Sequence, residues 1–158
     1  MIVVKTDEAA VTSLKQMIEG LDVCILITTD SEGQRHNKPM AAIRIDDKGD
    51  CWFFASKSSG KLKDLSTNNK LQIIFANPAN DDYVELHGVG DVICDEEEIR
   101  NKWSPLVSQW FPNGVKDPEV CLVKVELTNI FYWDAQTEGI QRLAIKTTTV
   151  VEDQKLAA

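Results

Sequence analysis

The chain has 158 residues, of which 43% are hydrophobic and 27% are charged, and these proportions are typical of a folded globular protein and exclude a disordered or fibrous chain. This length predicts a single domain over residues 1–158, in which the extension 135–158 is the hardest part to assign. The formal net charge of −8 argues against nucleic acid or an anionic membrane surface as a partner, because binding phosphates over a wide face needs a basic surface.

Targeting signals and cysteines narrow the class of protein further. No apolar run approaches the roughly 20 residues that cross a bilayer, and the first ten residues lack a basic region followed by a long apolar stretch, so the sequence predicts a cytoplasmic protein. The four cysteines lie far apart, without a CxxC pair or nearby histidines, and are interpreted as free thiols. We expect Cys24, Cys51 and Cys121 to be buried packing residues, because they lie in apolar strand-like runs.

The first third of the chain predicts one helix followed by strands. Thr6 is the predicted N-cap of a helix in which Val11, Leu14, Ile18 and Leu21 recur at helical spacing. The runs VCILITT, KPMAAIRI and CWFFA then have strand composition, and glycine-containing turn clusters separate them. These runs predict a meander of three antiparallel strands.

Further along, Lys61 to Thr67 predicts a short helix and LQIIFAN a strand. The next strand, YVELHGVGDVI, carries Gly88 and Gly90, which indicates a bulge or the close approach of another backbone. Asp95 and Glu98 form a capping-box pattern that begins a helix, and Pro105 marks its break or a fresh start.

The remaining runs are VCLVKVEL and NIFYWD, which predict strands, then GIQRLAIKTTTVV as a candidate further strand and EDQKLAA as a frayed tail. Strands and helices do not alternate, which argues against a doubly wound parallel sheet. The predicted fold is mainly β, a small antiparallel barrel of about six to seven strands with peripheral helices.

Three stretches have the composition of a binding site. In SKSSGKLKDL a glycine and serines precede a helix whose Lys61 adds a charge, which suits one phosphate group; a solvated polar loop is the alternative. In RHNKPMAAI, Pro39 predicts a strand edge or a bulge where free backbone groups meet a ligand, with Lys38 as a second cation; the alternative is simply the start of an edge strand. In QWFPNGVKDP, Trp110 and Phe111 suit stacking on a planar heterocycle, a subunit interface or core packing.

The sequence contains no motif that indicates a catalytic triad or a metal centre. The two histidines, His36 and His87, are far apart and accompany no nucleophile motif. We expect His87 to lie on a strand face with Glu85 rather than to act as a general base.

Taken in order, these motifs resemble the flavin-binding split-barrel family related to pyridoxamine 5′-phosphate oxidase, in particular its general stress protein 26 branch. The resemblance runs from about Val11 to Asp134 and rests on KPM, CWFFASKSSGKLKDL, NPAND, YVELHGVGDV, KW, WFPNGVKDP and YWD. It implies a split antiparallel barrel that forms a homodimer and holds FMN at the subunit interface.

Carried over by position, the resemblance assigns a role to each motif. Lys61 and Ser59 would grip the phosphate, and Phe54, Ala55 and Ser56 would lie beside the ribityl chain and ring. The isoalloxazine would be lined, partly through backbone groups, by Asn37, Lys38, Pro39 and Met40. Trp110 and Phe111 would come from the partner chain.

The chain also departs from the family pattern. Lys38 stands where the family has an arginine, and Gly60 stands where the oxidase itself has an arginine beside the phosphate-binding lysine. The oxidase's substrate-binding pattern near the C-terminus is not apparent, which argues against vitamin B6 oxidation.

Three functions remain open at this point. The first is a flavin-dependent oxidoreductase that takes a hydride or electrons from a reduced nicotinamide nucleotide for an unknown acceptor. The second is a non-catalytic flavin-binding stress protein, as a reservoir, carrier or redox sensor. The third is a split barrel that binds no flavin.

Overall fold

The structure is a computed structural model that describes residues 1–41 and 43–151. The predicted tail, residues 152–158, lies outside the described residues. The strands are β1 (Ile2–Thr6), β2 (Val23–Thr29), β3 (Arg35–Ala41), β4 (Arg44–Ile45), β5 (Cys51–Ser56), β6 (Lys70–Asn77), β7 (Asp82–Ile93), β8 (Val120–Trp133), β9 (Gln141–Arg142) and β10 (Lys146–Val150). The α-helices are α1 (Glu8–Ile18), α2 (Gly60–Thr67), α3 (Glu96–Lys102) and α4 (Pro105–Ser108).

One curled antiparallel sheet dominates the fold. Its strands follow the order β3, β2, β6, β7, β8, β5, β4, and β9 pairs with β8 in addition. Strands β1 and β10 form a separate two-stranded ribbon. The prediction of a mainly β split barrel with few helices is therefore confirmed. Among the helices of the described residues, none has the length and apolar character that a membrane crossing requires.

Alternation along the strands places the core inside the curled sheet. In β2, Cys24, Leu26 and Thr28 are buried while Val23 and Ile25 are exposed, which is the period-two pattern of a strand with one face on the core. Helix α1 covers this core with Val11 and Leu14. The three cysteines predicted to be buried are buried, and Cys94 is exposed.

A second, smaller core lies on the opposite face of β5. Trp52, Ile99 and Leu122 form its buried part, and half-buried aromatic side chains pack against it. It fastens α3 and the segment that follows α3 to the outside of the sheet.

The predicted bulge is present. The register of β7 against β8 shifts between His87 and Gly88. A Cβ atom at Gly88 would lie 2.5 Å from Val125 Cγ1 and 2.7 Å from the Glu126 carbonyl oxygen, so the glycine is required by the close approach of β8.

Three predictions about local structure need correction. The predicted three-stranded meander is present only in part: β2 pairs with β3 and β4 pairs with β5, both antiparallel, but the run KPMAAIRI is divided between β3 and β4, which lie at opposite ends of the sheet. Thr6 ends β1, and the N-cap of α1 is Asp7, whose side chain accepts a hydrogen bond from the Ala10 amide at 3.1 Å. The capping box is only half formed: Asp95 caps α3, but Glu98 pairs with Lys102.

Candidate functional site

A cavity of about 240 Å³ lies where the two ends of the curled sheet approach each other. One wall is the end of β3 and the other is the end of β5, while the start of α2 and the segment after α3 close the remaining sides. Eight of the eleven sequence-predicted site residues line it: Pro39, Met40, Phe54, Ala55, Ser56, Lys61, Trp110 and Phe111. Ala41 and Val107, which the sequence did not suggest, complete the described lining.

Pro39 lies on the strand that forms the β3 wall of the cavity. Strand β3 is the outermost strand beside β2, where Pro39 pairs with Ile25, and a proline is tolerated at such an edge because the missing N–H would have faced outward. Pro39 is exposed, whereas Met40 is buried in the core. The strand thus presents an open backbone edge to the cavity.

The start of α2 leaves hydrogen-bond donors unpaired. Ser59 is the N-cap, but within the described part of the chain its side chain makes no capping hydrogen bond, so the first amides of the helix receive no acceptor from it. Its Oγ is buried and has no hydrogen-bond partner among the described residues. A buried hydroxyl without a partner is costly unless a ligand satisfies it.

Two lysines converge on this helix start. The Lys61 ammonium donates a weak hydrogen bond to Met40 Sδ at 3.5 Å. Burial, and next the charge of Lys38, lower the pKa of Lys61. Among the described residues, no carboxylate oxygen lies within 4.0 Å of either ammonium. Two ammonium groups that have no carboxylate neighbour among the described residues are complementary in charge to an anion.

Gly60 explains how Lys38 reaches the helix. A Cβ atom at Gly60 would lie 3.2 Å from Lys38 Nζ, so the ammonium rests directly over the glycine. Lys38 and Gly60, the two positions noted above as departures, are therefore neighbours in space. Because Gly60 has no side chain, the Lys38 ammonium lies directly above its backbone.

The aromatic wall comes from within the chain. Trp110 is exposed over 66% of its surface, and Phe111 is half-buried with its ring 6.4 Å from that of Trp103. Trp103 packs edge-on against Phe54 at 5.4 Å. Within one chain, Trp110 and Phe111 line the cavity beside Phe54, because the second core fastens their segment to β5. Their reach into the site of a partner chain stays a prediction.

Glu119 organises the turn before α2, which sequence reasoning missed. Its Oε2 accepts hydrogen bonds from Ser56 Oγ at 2.9 Å, Ser58 Oγ at 2.9 Å and the Ser58 amide at 3.3 Å. The Ser58 and Ser56 hydroxyls are the main reason why the pKa of Glu119 is lowered. Nothing in the local sequence pairs residue 119 with residue 56; the contact depends on the pairing of β5 with β8.

A buried polar pair anchors α2 to the sheet, and the sequence did not suggest it either. Thr28 Oγ1 donates to Asp64 Oδ2 at 2.7 Å, and both residues are buried. Asp64 lies one helical turn after Lys61, so this contact fixes the orientation of the lysine's helix.

The remaining predicted residues lie outside the cavity lining. Asn37 is exposed on β3 and does not line the cavity among the described residues. Lys38 and Ser59 lie at the helix start rather than in the cavity itself. His87 pairs with Glu85 at 3.0 Å on the outer face of β7, as expected.

Comparison with known proteins places this geometry in a family. A sequence profile of the family described as "Pyridoxamine 5'-phosphate oxidase like" matches residues 9–156. Among curated proteins, Protein bli-3 of Neurospora crassa is 25% identical over 118 residues, which cover 68% of this chain and 56% of that protein. The match thus spans little more than half the length of this relative.

Solved structures with the same fold include several stress proteins. General stress protein 26 of Bacillus anthracis superposes with a TM-score of 0.68 at 20% identity, covering 86% of this chain and 98% of that one. The general stress FMN/FAD binding protein of Xanthomonas citri gives 0.67 at 20% identity, covering 88% and 98%. A protein related to general stress protein 26 from Clostridium acetobutylicum gives 0.72 at 18% identity, covering 86% and 96%. At these identities the likeness concerns the fold.

Proposed function

The chain belongs to the pyridoxamine 5′-phosphate oxidase-like family, and we propose that it binds a flavin, specifically FMN, with the phosphate at the start of α2. One observation carries the proposal: among the described residues, the buried Ser59 hydroxyl has no hydrogen-bond partner, and the two lysines at the same helix start have no carboxylate neighbour. The Xanthomonas relative, which is an FMN/FAD binding protein, supports a flavin as the ligand.

The residues present fit the parts of this cofactor. The dianionic phosphate would be held by Lys61, Lys38, the Ser59 hydroxyl and the first amides of α2, because a helix start and two cations are complementary to it. The ring system would be bordered by Pro39, Met40, Phe54, Trp110 and Phe111. The apolar walls and the single cationic end match a planar heterocycle that carries one phosphate.

We also propose that two copies of this single domain form a homodimer with the flavin at their interface. The cavity is open on the side of Trp110, and the neighbouring outer face exposes Pro39, Val23 and Ile25. A second copy over this face would bury apolar surface and exclude water from the ring. Asn37, exposed on the same edge, would then face the ring or the partner.

The proposed activity is that of a flavin-dependent oxidoreductase with a reduced nicotinamide nucleotide as the electron donor and an acceptor still to be identified. When bound, the flavin supplies the hydride or electron transfer, while the chain binds, orients and shields it. The proposal excludes pyridoxamine phosphate oxidation, because the oxidase's arginine beside the phosphate-binding lysine is Gly60 here.

A second function, a non-catalytic flavin reservoir, carrier or redox sensor, is favoured by one feature of the lining. Lys61 is the single ionisable side chain among the described residues that line the cavity, and it is committed to the phosphate. No side chain is thus free to act as a general acid or base at the ring.

Anaerobic mixing of the flavin-loaded protein with NADH or NADPH separates the two functions. Bleaching of the flavin spectrum, followed by recovery with any of a panel of acceptors, supports the oxidoreductase. A fully loaded protein that neither nucleotide reduces contradicts it and supports the carrier. Gel filtration with light scattering of the same sample tests the dimer, and a monomeric loaded protein would refute the interface.

A further inference from the structure

Two cysteines flank the segment that carries the aromatic wall. Strand β7 ends at Ile93 and β8 begins at Val120, and the helical segment between them, residues 95–119, bears Val107, Trp110 and Phe111. The last paired residues of the two strands are Ile93 and Leu122. Extended by one residue beyond that pair, the same register would put Cys94 opposite Cys121.

This position suits a disulfide. Opposed residues of an antiparallel pair have Cα atoms about 4.5–5.5 Å apart and side chains on the same face, and disulfides span about 4.4–6.8 Å between Cα atoms. Burial raises the pKa of the Cys121 thiol to about 11, and the neighbouring Cys94 side chain also raises it. Cys94 lies just past the end of the ladder, where the backbone is free to adjust.

The two thiols differ in access. Cys94 is exposed, whereas Cys121 is fully buried and donates a hydrogen bond to the Ala55 carbonyl at 3.3 Å. Cys24 and Cys51 are also buried. A dissolved oxidant therefore meets Cys94 first, and Cys121 is the thiol that can resolve the product.

We propose that Cys94 and Cys121 form a reversible, peroxide-sensitive disulfide that closes the base of the helical segment 95–119. The Cys94 sulfur attacks one peroxide oxygen and becomes a sulfenic acid, and the peroxide leaves as hydroxide, which takes up the thiol proton to form water. The Cys121 sulfur then attacks the Cys94 sulfur; the S–S bond forms and the sulfenic oxygen leaves with the Cys121 proton as a second water. Two thiols lose two electrons, and one hydrogen peroxide gains them.

The disulfide would act on the wall of the cavity. It removes the thiol donor from the carbonyl of Ala55, which lines the cavity, and it ties together the two ends of the segment that holds Trp110. Oxidation thereby restricts the motion of the aromatic wall. Any consequence for flavin affinity rests on the proposed function, whereas the bond itself does not.

Peptide mapping tests the bond without any flavin. Trypsin cleavage puts the four cysteines in four different peptides, because Lys or Arg separates each from the next; Cys94 falls in residues 71–100 and Cys121 in 117–124. After treatment of the full chain with one equivalent of hydrogen peroxide and alkylation under denaturing conditions, we expect these two peptides linked with the loss of two hydrogens. Cys24 and Cys51 should remain alkylated, and dithiothreitol should release the link.

The Cys94→Ser variant is the matched control, since its side chain is exposed and the core is untouched. It should give no linked peptides, and Cys121 should remain alkylated. In the oxidised wild type, amide hydrogen exchange over residues 105–116 should slow severalfold, and in the treated variant it should not change. A wild type in which Cys94 is sulfinylated or joined to a second chain, or in which the exchange of this segment is unchanged once the bond is complete, would overturn the proposal.

Discussion

Replacing Lys61 with alanine separates phosphate recognition from recognition of the ring. The side chain is half-buried at the start of α2, donates only to Met40 Sδ and has no carboxylate partner among the described residues, so its removal leaves no buried protein charge unpaired. A charge-assisted hydrogen bond to a phosphate contributes about 1.5–3 kcal/mol, which corresponds to a loss of about 10- to 150-fold in FMN affinity. Riboflavin, which lacks the phosphate, should bind the variant within about 2-fold of the wild type.

The assay is equilibrium titration of flavin-free protein with each ligand, followed by quenching of flavin fluorescence. Lys63→Ala is the matched control: it removes the same charge from an exposed position on the same helix, where salt screens most of its effect. We expect Lys63→Ala to change FMN affinity by less than about 2-fold. Equal losses for FMN and riboflavin in Lys61→Ala would refute the contact with the phosphate.

The other predictions test the charge, the aromatic wall and the anchor of α2. Burial and Lys38 lower the pKa of Lys61, whereas a bound phosphate dianion favours the protonated lysine. FMN affinity should therefore fall as the pH rises toward this lowered pKa, while riboflavin affinity stays constant. Calorimetry in buffers of different ionisation enthalpy should show that FMN binding takes up protons. Trp110→Ala should weaken FMN and riboflavin by the same factor, about 2- to 12-fold for the loss of about 0.5–1.5 kcal/mol of aromatic contact, and a loss confined to FMN would contradict its place on the wall. Thr28→Val should lower the free energy of unfolding by about 1–3 kcal/mol in urea denaturation, because it leaves the Asp64 carboxylate buried without its donor, whereas Thr28→Ser should keep most of the stability.

The local pattern of the sequence was sufficient for most of the secondary structure. The strand VCILITT was predicted from its composition and the bulge of β7 from its glycines, and both predictions are confirmed. The pairing of β5 with β8 joins residues about seventy positions apart and leaves no local trace, so it was not predicted. Strand β1 was missed for the same reason, since its partner is β10 at the other end of the described chain.

The candidate site divides in the same way. Lys61, Ser59 and Pro39 were identified because a helix start and an edge proline have sequence signatures. Glu119 and Asp64 were missed, because each acts through a hydrogen bond to a residue distant in the chain. The place of Trp110 and Phe111 beside Phe54 of the same chain could not be inferred from composition, since it depends on how the second core fastens their segment to β5.

The visible absorption spectrum of protein purified from flavin-replete cells tests the central claim most directly. The lysine pair and the free serine hydroxyl at the start of α2 predict a yellow protein whose extracted flavin is FMN, and whose flavin-free form regains the spectrum when FMN is added. A colourless protein that takes up neither FMN nor riboflavin would contradict the account.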